Sequence, residues 1–278
     1  MALSIHTNYS ALTTNTALNK SNNALSTNQQ RLGTGLRINS AADDAAGLQI
    51  ATRLNAQSRG MGVAMRNTGD AISMLQTAEG AFSETTDILQ RMKDLSTQAA
   101  NDTNTADDRT SLQAEFDALG EELINIFNNT KYAGEELFTT KLAAPVNFQI
   151  GASAAETMAF DVSADIGTLT TTLTTTVQAL TLDSAANAGL AITGLETALD
   201  EVGSMRAQFG ATINRLNHTS NNLANMKDNT EMAKGRIMDA DFAMESANMS
   251  KNSMLMQSGI SMLKQAGQMP GMVMGLLG

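Results

Sequence analysis

The chain ends in the stretch FAMESANMSKNSMLMQSGISMLKQAGQMPGMVMGLLG, residues 242–278, and this stretch decides how the rest is organised. Large apolar residues recur in it every seven positions, a spacing typical of an α-helix with an apolar stripe; they are Phe242, Met249, Met256 and Leu263. A second row, one position away, consists of Leu255, Met262 and Met269. A helix with two adjacent apolar rows needs a partner, which must lie far upstream in this chain or on another chain.

Packing against a single helix would cover only one face of this segment. The apolar area buried in that way would not offset the conformational entropy lost when the segment becomes ordered. We therefore expect the tail to be disordered alone and helical within an assembly of several neighbours. The alternative is an ordinary C-terminal helix that packs on its own domain.

The opening of the chain has a similar but narrower stripe. Ala11, Leu18, Leu25 and Leu32 recur in strict sevens, and polar residues occupy the positions between them: Thr14, Ser21 and Asn28. The Asn, Thr and Ser content gives this helix a weak intrinsic propensity. Because neither end of the chain is self-sufficient, the pattern predicts that the two terminal helices pair with each other. A solvent-exposed surface helix is the alternative.

Composition excludes several classes of protein. The 278 residues contain no cysteine and no tryptophan, and their net charge of −10 disfavours a nucleic-acid partner. The charge is uneven, because residues 61–230 carry 22 acidic and nine basic side chains, whereas residues 1–60 carry five basic and two acidic ones. Residues 1–10 do not show the basic and apolar pattern of a signal peptide, and no apolar run is long enough to span a membrane. We expect an acidic outer middle and less charged ends.

The centre of the chain alternates between helix and turn signals. Gly33 and Gly35 end the first helix, and Ser40 with Asp43 predicts a capping-box start for a short helix over residues 41–58, ended by Gly60 and Gly62. The neighbouring acids Asp43 and Asp44 could also be a metal or acid–base pair, but capping explains both.

Three coiled-coil seams follow, separated by a polar loop at residues 101–108 and by a region of different character. The first seam, in a helix over residues 65–100, comprises Leu75, Ala78, Phe82, Thr85, Leu89, Met92, Ser96 and Ala99. The second comprises Leu112, Phe116, Leu119, Leu123 and Ile126. The third, in a helix over residues 186–230, comprises Leu195, Val202, Phe209, Leu216 and Leu223, flanked by Ile192, Leu199 and Ile213.

Residues 130–185 read as a turn, a β-hairpin and a Thr-rich stretch. NTKYAGEELF is turn-like, VNFQIGA and TMAFDVSA alternate apolar and polar residues, and TLTTTLTTTV at residues 168–177 is predicted to be extended and exposed. The fold class is therefore mainly α: an elongated antiparallel coiled-coil or helical bundle with paired terminal helices and a small β-hairpin region. We divide it into residues 1–40, 41–140, 141–185, 186–235 and 236–278.

Several long motifs resemble those of bacterial flagellins. LGTGLRINSAADDAAGLQIATRL at residues 32–54 is similar to the family's N-terminal signature. NRLNHTSNNL at 214–223, RIMDADFAMESANMSK at 236–251 and SMLKQAGQMPGMVMGLLG at 261–278 are similar to its C-terminal part. The resemblance covers residues 1–140 and 186–278, and the short region between them resembles a compact flagellin that lacks large outer domains, with the lateral, swarming type as one candidate.

The resemblance implies a structural subunit that self-assembles into the helical flagellar filament for motility. Flagellins are exported through the flagellar type III apparatus to the outside of the cell, and they polymerise under a filament cap, beyond the hook-associated proteins. Their paired terminal helices line the filament lumen and the remaining helices form the surrounding shell. The expected contacts between subunits are made by Leu18, Leu25, Leu32, Phe242, Met249, Met256 and Leu263.

Two further partners are implied by the resemblance. The family's C-terminal segment binds an export chaperone, which places the candidate chaperone site at Met249, Met256 and Leu263. The family's patch for the host Toll-like receptor 5 matches LQRMKDL and LQAEF here, and it corresponds to Arg91, Leu95 and Glu115. The ordinary alternatives are a solvated arginine, a seam-adjacent leucine and a helix-surface glutamate.

An enzymatic function is not indicated, and no cofactor or metal is expected. The two histidines, His6 and His218, are far apart in sequence, and no HExxH motif occurs. Asp239, Asp241 and Glu245 could hold a hard cation, but helix-start acids at a bend explain them better. Two other functions stay open: a hook–filament junction protein with similar terminal helices, and a helical adaptor that binds a partner through its tail and never polymerises.

Overall fold

The computed structural model describes residues 7–277, and the side chains among them except those of residues 269, 270 and 272–277. His6 and the side chain of Met269 therefore lie outside the described part. The elements in chain order are α1 (Tyr9–Thr34), α2 (Ala45–Ala99), α3 (Ala106–Asn129), β1 (Lys131–Tyr132), β2 (Glu135–Glu136), a π-helical turn (Leu137–Lys141), β3 (Val146–Gln149), β4 (Thr157–Phe160), α4 (Ser163–Thr171), a second π-helical turn (Thr172–Val177), α5 (Ala185–Met238) and α6 (Phe242–Leu277). This mainly α chain with small β hairpins confirms the predicted fold class.

The chain divides into two compact units, which we call the terminal unit (residues 1–56 and 229–278) and the bundle unit (residues 57–228). In the bundle unit the seams of α2 and α5 are confirmed, because every predicted seam residue of these two helices is buried. In α3 the seam is confirmed at Phe116 and Leu123, while Leu112, Leu119 and Ile126 are half-buried. The heptad spacing thus identified the core of the bundle unit.

Phenylalanine rings tie the helices of the bundle unit to its irregular region. The ring of Phe82 on α2 lies 4.9 Å from that of Phe138 in the first π-helical turn and 5.4 Å from that of Phe209 on α5, measured between centroids. Phe127 on α3 stacks on Phe138 at 4.7 Å. Both apolar side chains of the first π-helical turn, Leu137 and Phe138, are buried.

Both predicted turn-and-hairpin segments form. β1 and β2 pair across Ala133 and Gly134, whose positive φ angles of 52° and 88° are those of a type I′ turn. β3 and β4 pair antiparallel, with Phe148 opposite Met158, and this confirms the predicted β-hairpin.

The predicted short helix over residues 41–58 is wrong, because α2 continues through Gly60 and Gly62 to Ala99. A glycine in a helix interior costs only about 1 kcal/mol against alanine, so tertiary packing can override it. Gly60 lies where a Cβ would come within 2.7 Å of the Cβ of Ala152, and the adjacent Met61 is buried against Leu223. Glycine is therefore required here for close packing and does not end the helix.

The start predicted for that helix is also displaced. Asp44 caps α2, because its Oδ1 accepts from the Gly47 N–H at 2.8 Å and its carbonyl accepts from the Leu48 N–H. Asp43 instead holds the preceding turn, where its Oδ2 accepts from Asn39 N, Ser40 N and Ser40 Oγ. Both carboxylates serve the backbone, but the helix begins at Ala45, later than the Ser40–Asp43 pattern predicts.

The Thr-rich stretch was predicted to be extended and exposed, and this is wrong. It forms α4 and the second π-helical turn, and Leu169, Leu173 and Val177 are buried. Threonine hydroxyls along it donate to carbonyls four residues earlier, as Thr170 does to Ile166 and Thr174 does to Thr170. The apolar residues recur every four positions, which suits a helix. This spacing outweighs the β propensity of threonine.

Candidate functional site: the terminal helix pair

The two terminal helices α1 and α6 pack against each other, which confirms their predicted pairing. The ends of α1 are defined by specific hydrogen bonds. Asn8 caps its start, where Oδ1 accepts from Ala11 N at 3.0 Å, and the same side chain donates to the Ala266 carbonyl of α6 at 2.7 Å. Gly35 ends α1 in the left-handed region (φ 71°), and its N–H donates to the Arg31 carbonyl. Asn8 therefore joins the beginning of α1 to the far part of α6.

A cluster of polar side chains crosses the interface near the other end of α1, and we call it the polar layer: Asn28, Arg31, Glu245 and Asn252. Arg31 donates to Glu245 Oε1 at 3.0 Å. With its amide oriented to satisfy its neighbours, Asn28 donates to Glu245 Oε2 at 3.1 Å and accepts from Asn252 Nδ2 at 3.0 Å. Because Asn28 and Glu245 are buried, sliding one helix along the other would leave these groups without partners.

The residues predicted to make subunit contacts divide into two groups. Six of them are half-buried, and those on α6 lie on the side that faces α1: Leu18, Leu25, Leu32, Met249, Met256 and Leu263. Leu18 packs at Gly259, where an added Cβ would lie 3.1 Å from its Cδ1. Phe242 differs from the rest, because 62% of it is exposed.

Helix α6 carries large apolar side chains on both flanks of the side that α1 covers, and Met254 lies among Ser, Gln and Lys residues on the side opposite α1. With about 100° of rotation per residue, Phe242 and Ile260 lie on one flank of the α1-facing side. Met244, Leu255 and Met262 lie on the other flank, and Met254 lies opposite α1. All six are exposed, and three of them to about two thirds, with Phe242 at 62%, Met244 at 64% and Met254 at 65%. Large apolar side chains on several sides of one helix favour burial against more than one neighbour.

The terminal unit has almost no core of its own. Among its described side chains and glycines, the buried residues are Asn28, Ile38, Gly47, Ala51, Glu245 and Ala266, so Ile38 is the one large apolar residue buried there. A groove of about 290 Å³ lies between α1 and α6, and small and apolar residues line it, Ala17, Leu18, Gly259 and Met262 among them. The pair is thus an incompletely packed two-helix unit.

The segments that lead into α1 and α6 are paired through their backbones. Arg37 N donates to the Met238 carbonyl at 2.6 Å, and Ala240 N donates to the Gly35 carbonyl at 2.9 Å. Asp241 caps α6, because its Oδ1 accepts from Ala243 N and Met244 N. Within the described residues, no group of three or more acidic or histidine side chains is arranged to hold a metal ion. Glu245, one of the three acids considered for a cation, is instead paired with Arg31 in the polar layer.

The candidate receptor patch lies in the bundle unit. Arg91 of α2 donates through Nε and Nη2 to Glu115 Oε1 of α3, at 2.9 and 2.6 Å, and both side chains are about half exposed. Leu95 is 1% exposed and belongs to the core. The structure therefore brings Arg91 and Glu115 together on the surface and places Leu95 beneath it.

Sequence reasoning missed the polar layer and Asn8. Asn28 was noted as a polar residue at an apolar-row position, and a single buried Asn at such a position is a known register-setting device in coiled coils. That signal could have indicated a buried partner, although it could not have named Glu245. Among the described helices, none combines the length and the apolar character that crossing a lipid bilayer requires.

Comparison with known proteins gives concordant matches at both ends of the chain. The family described as "Bacterial flagellin N-terminal helical region" matches residues 5–142, and "Bacterial flagellin C-terminal helical region" matches residues 192–277. Flagellin A of Vibrio anguillarum is 35% identical over 379 aligned positions, and polar flagellin C of Vibrio parahaemolyticus is 33% identical over 384, with all of both chains covered in each case. These alignments are much longer than 278 residues, so the relatives contain segments that this compact chain lacks.

Two solved structures are similar. A putative flagellar hook-associated protein from Vibrio parahaemolyticus aligns with a TM-score of 0.57 at 15% identity, covering 71% of this chain and 100% of that one. At this identity the likeness concerns the fold alone. A Bacillus cereus flagellin aligns with a TM-score of 0.49 at 36% identity, covering 57% of this chain and 88% of that one.

Proposed function

Because this chain belongs to the bacterial flagellin family and is a flagellar filament subunit, we propose that the exposed faces of α6 make its contacts with other copies. Members of this family are structural proteins, so we infer that the chain functions by associating with other copies of itself. Open head-to-tail association that does not close into a ring produces a helical filament. We further propose that the half-buried row on each terminal helix holds the pair together, while the exposed apolar residues bind neighbouring copies.

One observation carries this proposal: α6 exposes large apolar side chains on both flanks and opposite α1. Apolar surface of this kind on a helix favours burial, and each large side chain removed from water contributes roughly 1.5–3 kcal/mol. Two flanks and an opposite side require several neighbours, which a helical lattice supplies and a single binding partner does not. This favours a polymer over an adaptor that binds one protein through its tail.

Seeded growth tests the proposal. Phe242→Ser and Met254→Ser replace exposed residues on different sides of α6, and we expect each to slow the growth of filaments on sheared seeds, seen by electron microscopy. Leu190→Ser is the matched control, because Leu190 is 66% exposed but lies in the bundle unit. Growth that is unchanged in both α6 variants, or equally slowed in the control, would contradict the assignment of contacts to α6.

Limited proteolysis gives a second, independent test. We expect both ends of the chain to be cleaved in the free subunit and protected in the filament, because neighbouring copies bury the terminal unit. Ends that resist the protease equally in the free subunit would favour the non-polymerising adaptor. Removing either α1 or α6 should abolish filament growth while leaving the bundle unit folded, since its core is formed within residues 57–228.

Export and its chaperone belong to the same proposal. We infer that the chain is secreted through the flagellar export apparatus and assembles outside the cell. The row Met249, Met256 and Leu263 faces α1 in this structure, so a chaperone that binds this row must compete with α1. A peptide of residues 7–34 should therefore displace the full-length chain from its chaperone, whereas a peptide with Leu18 and Leu25 replaced by Ser should do so less well.

Partners at the filament's boundaries and in a host are inferred from the family alone. They are the filament cap, the hook-associated proteins and Toll-like receptor 5. For the receptor, the accessible part of the candidate patch is the Arg91–Glu115 pair, and Leu95 supports it from the core. Arg91→Ala should weaken receptor binding without changing the melting temperature of the bundle unit. Whether the filament is of the lateral type stays a prediction.

A further inference from the structure

Sulfur chemistry in this chain is confined to methionine, and methionine is concentrated near one end. The sequence has 18 methionines and no cysteine, and eleven of the methionines lie at or after residue 226. Thioethers are therefore the side chains that a mild oxidant attacks first here, since tryptophan is absent as well. Their positions in the fold decide which of them are open to attack.

Burial differs widely among the methionines. Five of those in the bundle unit, Met61, Met74, Met92, Met158 and Met205, are buried in its cores, while Met65 is half-buried. On α5, Met226 is 39% exposed and Met232 is 56% exposed. On α6, by contrast, Met244, Met254 and Met262 are exposed to 64%, 65% and 59%. Met249 and Met256 are intermediate, because they lie on the side that α1 covers.

We propose that Met244, Met254 and Met262 are oxidation sites that switch off the association of free subunits. The proposal rests on the function given above, in which these faces bind other copies. The oxidant is a peroxide or a hypohalous acid. Hydrogen peroxide transfers one oxygen atom to the thioether sulfur, which is oxidised by two electrons to a sulfoxide, and the peroxide is reduced to water.

The physical consequence follows from the change in polarity. A sulfoxide is a strong acceptor that water solvates, and an apolar contact between helices offers it no donor. Met244 and Met262 share one flank of α6 and Met254 lies on the side opposite α1, so oxidation would make two contact surfaces polar at once. The weakening of each contact is roughly tenfold or more.

Assembly should in turn protect these sulfurs, because the same faces become buried between copies. Free subunits are then sensitive and the filament is resistant. A methionine sulfoxide reductase, which uses thiols to return sulfoxide to thioether with loss of water, should restore association. Both types of the reductase are needed, since oxidation gives two sulfoxide epimers.

The experiment uses the full chain and hydrogen peroxide as the probe. Free subunits and filaments are exposed in parallel, oxidation at each methionine is followed by peptide mass spectrometry, and growth on unoxidised seeds is measured afterwards. We expect Met244, Met254 and Met262 to oxidise well before the buried methionines in the free subunit, growth to fall roughly tenfold or more, and filaments to show slower oxidation at these three positions.

Leucine variants locate the effect. Met244→Leu/Met254→Leu/Met262→Leu keeps the apolar volume and should grow normally before and after peroxide. Met74→Leu/Met92→Leu/Met205→Leu is the matched control, and peroxide should slow its growth as much as that of the natural chain. If the first variant is still inactivated, or the control is protected, the proposal is overturned. Failure of the unoxidised natural chain to grow on seeds would instead contradict the proposed function.

Discussion

Glu245 accepts from both Arg31 and Asn28 across the α1–α6 interface, so it takes part in two of the contacts of the polar layer. The apolar part of this interface is narrow, and its half-buried leucines and methionines would tolerate several registers. A slip by one helical turn would leave a buried carboxylate and a buried amide without hydrogen-bond partners. The free-energy cost of this exceeds that of the displaced apolar contacts. We infer that the polar layer determines the register of the pair and that the apolar row supplies its adhesion.

This inference gives a prediction for Glu245→Ala. The change leaves Arg31 and Asn28 unsatisfied, and we expect it to destabilise the helix pair by about 2 kcal/mol. Hydrogen exchange should therefore become faster in both α1 and α6 and stay unchanged in α3. Glu245→Gln, which keeps an acceptor and loses the charge, should have a smaller effect. Lys251→Ala, an exposed change on the same helix, serves as the control. Faster exchange confined to α6 would mean that Glu245 does not connect the two helices.

A second residue-scale prediction concerns the capping box of α3. Asp108 accepts from the Thr105 hydroxyl and the Thr105 N–H, and these bonds, the hydroxyl first, lower the pKa of Asp108 from its ordinary 3.8. Because the folded pKa is depressed, the stabilisation is complete above the unfolded value of 3.8 and is lost as pH falls through the folded value. Asp108→Asn should thus lower the stability of the bundle unit at neutral pH, and the difference from the natural chain should shrink in acid.

Urea unfolding followed by circular dichroism between neutral pH and strong acid measures this difference. Asp107→Asn is the matched control, because Asp107 also lies in the first turn of α3 but outside the box. A difference that stays constant through the acid range would show that the carboxylate of Asp108 contributes nothing in its ionised form.

At the scale of elements, periodicity predicted what depends on local spacing. The seams of α2 and α5 were predicted because burial on one face of a long helix imposes the heptad repeat, as Leu75, Phe82, Leu89 and Phe209 show. The continuation of α2 through Gly60 could not be predicted in this way. It depends on Ala152, which is distant in sequence and comes close only in the fold.

The site was predictable to a similar extent and for the same reason. The half-buried row of Met249, Met256 and Leu263 follows from spacing within α6. The polar layer does not, because Asn28 and Glu245 lie near opposite ends of the chain and their pairing is a product of the register itself. In the Thr-rich stretch, residue type predicts an extended segment, whereas the four-residue spacing of Leu169, Leu173 and Val177 matches the helical turns that bury them.

The corrected assignment of the Thr-rich stretch gives an element-scale prediction. Leu173 is 1% exposed, so Leu173→Ala should lower the unfolding free energy of the bundle unit by about 3 kcal/mol through the cavity it leaves. Thr174→Ala, at the exposed neighbouring position, should change it by less than about 0.5 kcal/mol. Urea titration of both variants makes the comparison. If both substitutions had equally small effects, Leu173 would not be buried, and the stretch would be extended and exposed as residue type alone suggests.

At the scale of the whole molecule, the two units differ in how much apolar core each of them buries. The bundle unit buries a continuous apolar core that includes Phe82, Phe116, Phe138 and Phe209. Among the described residues of the terminal unit, Ile38 alone is large, apolar and buried. The chain thus combines a unit with its own apolar core and a unit that exposes many of its apolar side chains, which fits the proposed contacts between copies.

Charge sets a condition on that association, because residues 61–230 carry 22 acidic against nine basic side chains. Bringing copies side by side concentrates like charge, and salt screens the resulting repulsion over a Debye length that falls from about 30 Å at 0.01 M to about 8 Å at 0.15 M. Raising sodium chloride across this range should therefore speed seeded growth. Asp87→Asn/Asp94→Asn/Glu121→Gln removes three exposed acidic charges of the bundle unit and should make growth faster at low salt and less dependent on salt. Sucrose at matched osmolality controls for changes in water activity. Growth that slows as salt rises would mean that attraction between opposite charges, rather than burial of the apolar faces of α6, drives the copies together.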